Sequence, residues 1–218
     1  MKLVADSFTW PFRGEWRSRW AFGLLCVLLL PLLFIPLLGY AIQATRAAQT
    51  DPSPGPPAWR LSARLLADGF WTSLLLALFT LPFLLLLNPL AEALFNRHVW
   101  SGQDAAVSGG GAYVLAALAL ALPWGLWLLL VMPYATANFA ASGRPVDLVN
   151  FPASIRSVAR GFATWNLSAA AIVTAWIVGF ACAGLCCIGI VPGIYYAILV
   201  SAHATAALTR QGPHPSAG

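Results

Sequence analysis

The sequence predicts an all-α fold, a polytopic bundle of about five transmembrane helices with an amphipathic helix at the membrane interface near its N-terminal end. Only 9% of the 218 residues are charged and 60% are hydrophobic, whereas a soluble domain carries roughly 25% charged residues. The ten Trp and twelve Phe residues also suit a protein with two membrane–water interfaces, where amphipathic rings collect. We therefore expect most of the surface to face lipid.

Long uncharged segments predict the spans. A transmembrane helix needs roughly 20 apolar residues, and four uncharged segments reach that length: 20–40, 69–91, 105–143 and 161–209. At about 1.5 Å per residue, the last segment would overshoot a ~30 Å hydrocarbon core as a single helix. It must turn, and its Gly and Pro residues at 189–193 (GIVPG) favour a turn there. The predicted helices lie near 18–45, 69–97, 112–141, 163–188 and 191–209.

The first nineteen residues carry aromatic side chains at a four-residue spacing, with Arg13 and Arg17 on a neighbouring stripe. Aromatic rings on one face and Arg on the other predict an interfacial helix over 1–19 that lies on the lipid headgroups. The alternative is a helical extension of the first span. The aromatic anchors of this predicted helix are Phe8, Phe12, Trp16 and Trp20.

The Lys and Arg residues are scattered singly, so anionic headgroups are a better partner for the net charge of +5 than nucleic acid. Because the first helix often sets the orientation, we expect the N-terminus in the cytoplasm of a prokaryotic cell. The first apolar segment is too long for a cleavable signal, so we expect it to be retained. A turn-rich loop is predicted at 51–57, a flexible segment at 108–111 and a disordered tail at 210–218.

Two segments 92 residues apart share a pattern of Arg, Gly-Phe and Thr, namely 64–75 and 156–167. The pattern predicts an internal duplication within a single membrane domain, the alternative being chance similarity between two helix starts. Two spans per unit leave both copies in the same orientation, so the repeats would be parallel. The units are 20–97 and 112–188, and 191–209 is an extra final helix.

The predicted repeat places Asp68 and Arg160 in equivalent positions, each just before a Gly-Phe pair that opens a span. Parallel repeats would hold both residues at the same membrane depth. We therefore expect the two opposite charges to pair between the units.

Several short motifs carry a resemblance across nearly the whole chain: 8–16 (FTWPFRGEW), 36–40 (PLLGY), 67–70 (ADGF), 187–190 (CIGI), 195–197 (YYA) and His203. In these motifs the chain resembles an uncharacterised family of bacterial and archaeal membrane proteins, domain of unknown function 4013. The resemblance implies a polytopic membrane protein. It supplies no catalytic or binding residues, because the family has no established activity. The loop at 51–58 departs from the family pattern, since Pro and Gly stand where acidic residues are expected.

His203 lies midway along the last predicted span, where an ionisable side chain is a functional candidate. A ring nitrogen of this residue could ligate the metal of a haem or a chlorophyll-type pigment, or relay protons. The alternative is a neutral imidazole that hydrogen-bonds to Ser, Thr or a backbone carbonyl inside the bundle.

Polar residues recur every four positions on one face of the second predicted span, at Asn88, Glu92 and Asn96. Such a polar stripe could line an aqueous path or bind a cation. The alternative is a helix end that emerges into the headgroups and water.

Small residues form stripes with a four-residue step on the last two predicted helices. Small side chains let helix backbones approach closely in lipid, so we expect the two stripes to pack on each other. Metal or redox work for Cys182, Cys186 and Cys187 is the alternative. The stripes are Ala171, Ala175, Gly179, Ala183 and Cys187 on one helix, and Ala197, Ser201 and Thr205 on the other.

The sequence contains no nucleotide-binding loop, nucleophile motif or metalloprotease motif, so we expect no enzymatic activity. An accessory or structural subunit of a larger membrane complex, such as an energy-transducing assembly, fits this pattern. Its partners would be lipids and other integral membrane subunits. The alternative is a carrier for small solutes or lipids, which the repeat and the polar stripe would support.

Overall fold

The computed structural model describes residues 2–96, 105–184 and 189–210, and within that part of the chain it is α-helical with no β-strand. It confirms the predicted all-α fold. Two 3-10 turns, Trp10–Phe12 and Cys182–Gly184, join the helices. The helices are α1 (Lys2–Thr9), α2 (Trp16–Leu28), α3 (Leu30–Thr50), α4 (Ala63–Asn96), α5 (Ala105–Ser142), α6 (Val146–Val149), α7 (Phe151–Arg160), α8 (Phe162–Ala181) and α9 (Ile190–Arg210).

Five of these helices, α3, α4, α5, α8 and α9, are long and apolar enough to cross a membrane. The chain is therefore an integral membrane protein, as its composition predicts. Some predicted boundaries are wrong. Helix α5 already begins at Ala105 and includes the Gly-rich segment predicted to be a flexible link. Helix α8 ends at Ala181, seven residues before the predicted end at 188. The predicted tail lies outside the described residues except for Arg210, which ends α9.

The predicted first helix, 18–45, is wrong as a single element because the chain breaks at Leu29 between α2 and α3. Pro31 has no N–H, and its ring clashes with the carbonyl four residues earlier in any continuous helix. The chain also reverses at the break. The rings of Trp20 and Tyr40 lie 5.5 Å and 6.3 Å from the same Tyr195 ring, whereas a continuous helix would separate them by about 30 Å.

The N-terminal segment is likewise not one helix over 1–19. Helix α1 ends at Thr9, a 3-10 turn follows, and the backbone is extended at Arg13 before α2 begins at Trp16. Gly14 takes a left-handed φ of 65°, a conformation that is inexpensive only for glycine. This break lets α1 fold back instead of extending α2.

The described chain divides into two compact units, residues 1–73 with 131–218 and residues 74–130. The first unit is built around α9, whose most apolar window is 61% buried, against 28% for that of α8. The rings and small side chains of α9 pack against α2 and α3 in one cluster. The final helix, predicted as an addition to a repeat, is thus the centre of this unit.

Helices α8 and α9 contact each other at a pair of glycines, one on each helix. A Cβ on Gly179 would lie 2.6 Å from the carbonyl oxygen of Gly193, and a Cβ on Gly193 would in turn meet the backbone of Gly179. The predicted turn over 189–193 is wrong in detail, because α9 begins at Ile190 and Gly193 is already helical. The two backbones therefore cross where neither helix has a side chain.

A second glycine crossing joins α3 to α4. A Cβ on Gly39 would clash with the carbonyl oxygen of Leu65, and one on Gly69 would clash with that of Ile35. Gly69 lies inside continuous α4, whereas the equivalent Gly161 separates α7 from α8. The two copies of the sequence pattern thus differ in local structure, and the duplication stays a prediction.

The second unit pairs the distal half of α4 with the first part of α5. Trp124 donates its indole N–H to the carbonyl oxygen of Phe79 at 3.1 Å and lies 5.7 Å from the ring of Phe83. Ala91, Ala112 and Ala116 are buried, and the long apolar side chains point outward. This pattern is typical of helices in lipid, where small residues face protein.

We predict that Gly179→Leu destabilises the protein by about 1–3 kcal/mol, because the new side chain overpacks the crossing with α9. Val178→Leu is the matched control, since that side chain is exposed on the same helix. The check is a thermal unfolding curve of each variant in one detergent. Equal midpoints for Gly179→Leu and the parent would mean that the glycine crossing does not hold α8 and α9 together.

Candidate functional site

His203 is held in the interior of the first unit by residues from the N-terminal segment. Its side chain is 3% exposed, and its Nδ1 lies 2.9 Å from the Oγ of Ser7. The Ser7 hydroxyl has one proton and also lies 2.9 Å from the carbonyl oxygen of Leu3, so both contacts are hydrogen bonds when the imidazole donates from Nδ1 to the hydroxyl. The neutral tautomer with the proton on Nδ1 leaves the lone pair on Nε2.

Trp10 covers the imidazole of His203. The ring centroids lie 5.3 Å apart at an interplanar angle of 34°, and Trp10 itself is fully buried. A haem or pigment at Nε2 would have to displace packed neighbours, because a macrocycle needs far more space than a side chain with 3% exposure has. The arrangement matches the alternative prediction, in which His203 hydrogen-bonds within the bundle.

A second polar cluster lies at the C-terminal ends of α3, α5 and α9, and we call it the Arg46 cluster. Arg46 pairs with Asp68 at 3.0 Å and donates to the carbonyl oxygen of Ala140 at 2.8 Å. Gln49 donates to the carbonyl oxygen of Ala137 at 2.8 Å and to Thr209 at 3.0 Å. The last four carbonyls of a helix have no partner within the helix, so Arg46 satisfies the Ala140 carbonyl at the end of α5. Arg46 also places positive charge at the negative pole of that helix.

Asp68 is buried and uses Arg46 from α3 as its partner. The expected pair between Asp68 and Arg160 is therefore not formed. Arg210 of α9 also contacts α3 in this cluster, because it donates to the carbonyl oxygen of Ala48. Three helix ends are thus tied together by side chains of α3 and α9.

The Arg46 cluster is the part of the site that the sequence predictions missed. Its signal was present, because Gln43, Arg46 and Gln49 recur every three residues and therefore share one side of a helix. The predicted end of the first span at 45 placed two of them in a loop. Extending that helix to Thr50 would have revealed a polar stripe facing protein.

The predicted polar stripe lies on the second unit. Asn88 and Glu92 are both exposed on the outer surface of α4. The side chain of Asn96 lies outside the described residues. An aqueous path or cation site at this stripe stays a prediction.

The small-residue stripes lie at the interface between α8 and α9. Ala171, Ala175 and Gly179 are buried, and a Cβ on Gly179 would stand 3.5 Å from that of Ala197. On α9, Ala197 and Thr205 are buried and Ser201 is partly exposed. The side chain of Ala183 and all of Cys187 lie outside the described residues.

The N-terminal aromatic anchors pack on one another and on α9. The ring of Phe12 stacks on Trp20 at 5.3 Å, and Trp16 meets Trp20 edge-on at 6.3 Å. The ring of Phe8 lies 6.2 Å from that of Tyr196. Part of this surface stays open, since Phe12 is 48% exposed. The rings therefore hold the segment to the unit and also present an amphipathic edge.

Arg13 and Arg17 of the same segment have local partners. Arg17 lies 5.5 Å from the centroid of the Trp16 ring, and Arg13 pairs with Asp6 at 3.1 Å. Within the described part of the chain, no three His, Cys, Asp or Glu side chains come together as a metal site. Cys26 and Cys182 are free thiols.

Comparison with protein families gives one match, to the family described as protein of unknown function DUF4013, over residues 22–190. The chain belongs to this family. The match includes the motifs at 36–40 and 67–70 and ends before His203, so the family model does not cover that residue. No curated protein and no solved structure matches the chain.

We predict that Ser7→Ala costs about 1–3 kcal/mol of stability, because it leaves the buried imidazole of His203 without its partner. Ser18→Ala is the control, since its hydroxyl is exposed and bonds only within its own turn. Thermal unfolding in detergent measures both. A Ser7→Ala midpoint no lower than that of Ser18→Ala would show that the hydrogen bond does not hold α1 in place.

A double-mutant cycle tests the Arg46 cluster. Arg46→Gln and Asp68→Asn should each destabilise the protein, because each leaves a partly buried charge unpaired. Together they should cost less than the sum, with a coupling of about 0.5–3 kcal/mol. The control cycle uses Arg13 and Asp6, whose side chains are 35% and 56% exposed and whose coupling should fall at about 0–1 kcal/mol. Additive effects at Arg46 and Asp68 would contradict the pairing.

Proposed function

We propose that this protein is a non-enzymatic accessory or structural subunit of a larger complex in the prokaryotic cytoplasmic membrane, such as an energy-transducing assembly. The observation that supports this proposal is the apolar outer face of the second unit. In α4 and α5 only 11% of the most apolar window is buried. Long side chains such as Leu84, Leu85, Leu122 and Leu126 are each more than half exposed.

Lipid covers such a face, and one position on it also suits a partner helix. Gly125 has no atom within 4 Å of where its Cβ would stand, and it lies beside the exposed Leu126 on α5. Small residues in an apolar helix let another backbone approach closely. Gly125 therefore marks where a neighbouring subunit would pack.

Several hydrogen-bonded polar groups of the first unit also favour a structural role. Arg46, Asp68, Gln49 and Thr209 use one another and helix-end carbonyls as partners. His203 uses Ser7. Buried polar groups that are satisfied in this way specify one packing arrangement rather than offer free ligands.

A small-solute or lipid carrier is the second candidate, and a different observation favours it. Trp10 Nε1, Gln43 Oε1 and Ser201 Oγ are buried without a hydrogen-bond partner. A bound polar molecule would satisfy such atoms. A carrier would use one or more of these atoms to hold its substrate.

The experiment combines particle mass with a positioned cross-linker. We expect native mass spectrometry after mild solubilisation to give a particle well above 23.2 kDa that contains other membrane subunits. A photoreactive residue at Leu126 should give one discrete adduct, and the same residue at Ile177, which is exposed on α8, should give none. Gly125→Leu should abolish the adduct while leaving the thermal midpoint unchanged. A monomer that moves solute in proteoliposomes would replace this proposal with the carrier.

A further inference from the structure

We propose that α2 and α3 form a re-entrant hairpin, which enters and leaves the membrane on one side and places residues 10–19 and the loop 51–60 on the side of a single leaflet. This inference rests on the proposed membrane location and goes beyond the subunit role. It replaces the arrangement in which residues 20–40 cross the membrane and leave those two segments on opposite sides.

The first observation is that both arms reach the same aromatic side chains. Trp59, which follows the hairpin in the chain, stacks on Tyr40 of α3 at 3.8 Å and lies 5.0 Å from Phe22 of α2. Tyr195 contacts both arms as well. The start of α2 and the middle of α3 therefore lie at the same depth along the helix bundle.

The second observation is direct contact between the two flanking segments. Arg19 donates to the carbonyl oxygens of Pro54, at 3.1 Å, and Pro56. A Cβ on Gly14 would lie 2.5 Å from the Pro54 carbonyl oxygen, and one on Gly55 would lie 2.6 Å from that of Arg13. Both glycines have left-handed φ angles, 65° and 79°. Segments that touch in this way cannot lie on opposite sides of a hydrocarbon core.

The third observation is the length of the first arm. Helix α2 has 13 residues, which span about 20 Å and fall short of a ~30 Å hydrocarbon core. From Trp20 to Leu28 the arm extends only about 12 Å. The first arm is thus too short to cross the bilayer by itself.

The surface of the hairpin has the polarity that this position requires. The large exposed side chains from the start of the first arm, through the tip, to the second arm are all apolar: Phe22, Leu25, Leu28, Leu29, Leu32 and Ile35. Rings bound this apolar surface on both arms, with Trp16 and Trp20 on one and Trp59 beside the other. Charged residues lie outside the apolar stretch, the nearest being Arg19 on the first arm and Arg46 on the second.

The tip of the hairpin also keeps its backbone donors satisfied. Leu29 donates to Leu25 at 3.0 Å, and Leu32 and Leu33 donate to Leu29, each at 2.9 Å. Pro31 has no donor to satisfy. Because an unpaired N–H costs several kcal/mol in hydrocarbon, a break with this bonding pattern is compatible with lipid.

The hairpin changes how the Lys and Arg residues are divided between the two sides of the membrane. Of the twelve Lys and Arg residues, eleven are in the first unit and the twelfth is Arg97. With the hairpin re-entrant, all eleven lie on the side of the N-terminal segment, since none falls in the connection between α8 and α9. A strong excess of Lys and Arg marks the cytoplasmic side.

Cysteine labelling tests the topology. In a parent whose four cysteines are replaced by Ala, we would introduce Ser18→Cys, Ser53→Cys or Gly184→Cys, each at an exposed position. A membrane-impermeant maleimide is applied to right-side-out and to inverted vesicles. We expect Ser18→Cys and Ser53→Cys to react in inverted vesicles only, and Gly184→Cys in right-side-out vesicles only. Reaction of Ser18→Cys and Ser53→Cys in opposite preparations would overturn the re-entrant hairpin.

Terminal tags give a second readout in the protein with its native cysteines. A re-entrant hairpin leaves four crossings, so N-terminal and C-terminal epitopes should both be digested by protease in inverted vesicles. Five crossings would put them on opposite sides and contradict the proposal. Neither readout depends on particle mass, so failure of the hairpin and failure of the subunit proposal are distinguishable.

Discussion

Burial of α9 is the constraint on which the rest of the first unit depends. This helix has small residues or glycine where α8 crosses it and rings where α2 and α3 meet it. The hydrophobic effect does not drive helix association in lipid, so close packing and hydrogen bonds must hold the helices together. The glycine crossing at Gly179 and Gly193 supplies the first of these. The hydrogen bonds that Ser7 and Gln49 form with His203 and Thr209 of α9 supply the second.

The same constraint explains why hydropathy predicts the spans but not the centre of the bundle. Helix α5 has a mean hydropathy of 2.3 with 11% of its window buried, whereas α9 has 1.4 with 61% buried. In a membrane the most apolar surface faces lipid, and the buried surface carries small and polar residues. The rule for soluble proteins, that the most apolar helix is the most buried, would therefore rank α5 and α9 in the wrong order. The small-residue pattern of α9 was the better guide to its position.

Other features depend on contacts between residues far apart in the chain, which no local pattern encodes. Ser7 and His203 are 196 positions apart, and the tautomer of the imidazole follows from that contact. The break at Leu29 had a local signal in Pro31 and Pro36, but proline is tolerated within transmembrane helices. The direction of the chain after the break is set by the packing of Trp20, Tyr40 and Trp59 around Tyr195.

The most direct test of the account is hydrogen exchange measured by mass spectrometry on the purified protein in detergent. If α9 is the centre on which the other helices pack, its amides between 197 and 208 should exchange last in the first unit, and α1 should exchange earlier. Protection that persists in α2 and α3 after α9 has exchanged would contradict this central role, because those helices would then be stable without it.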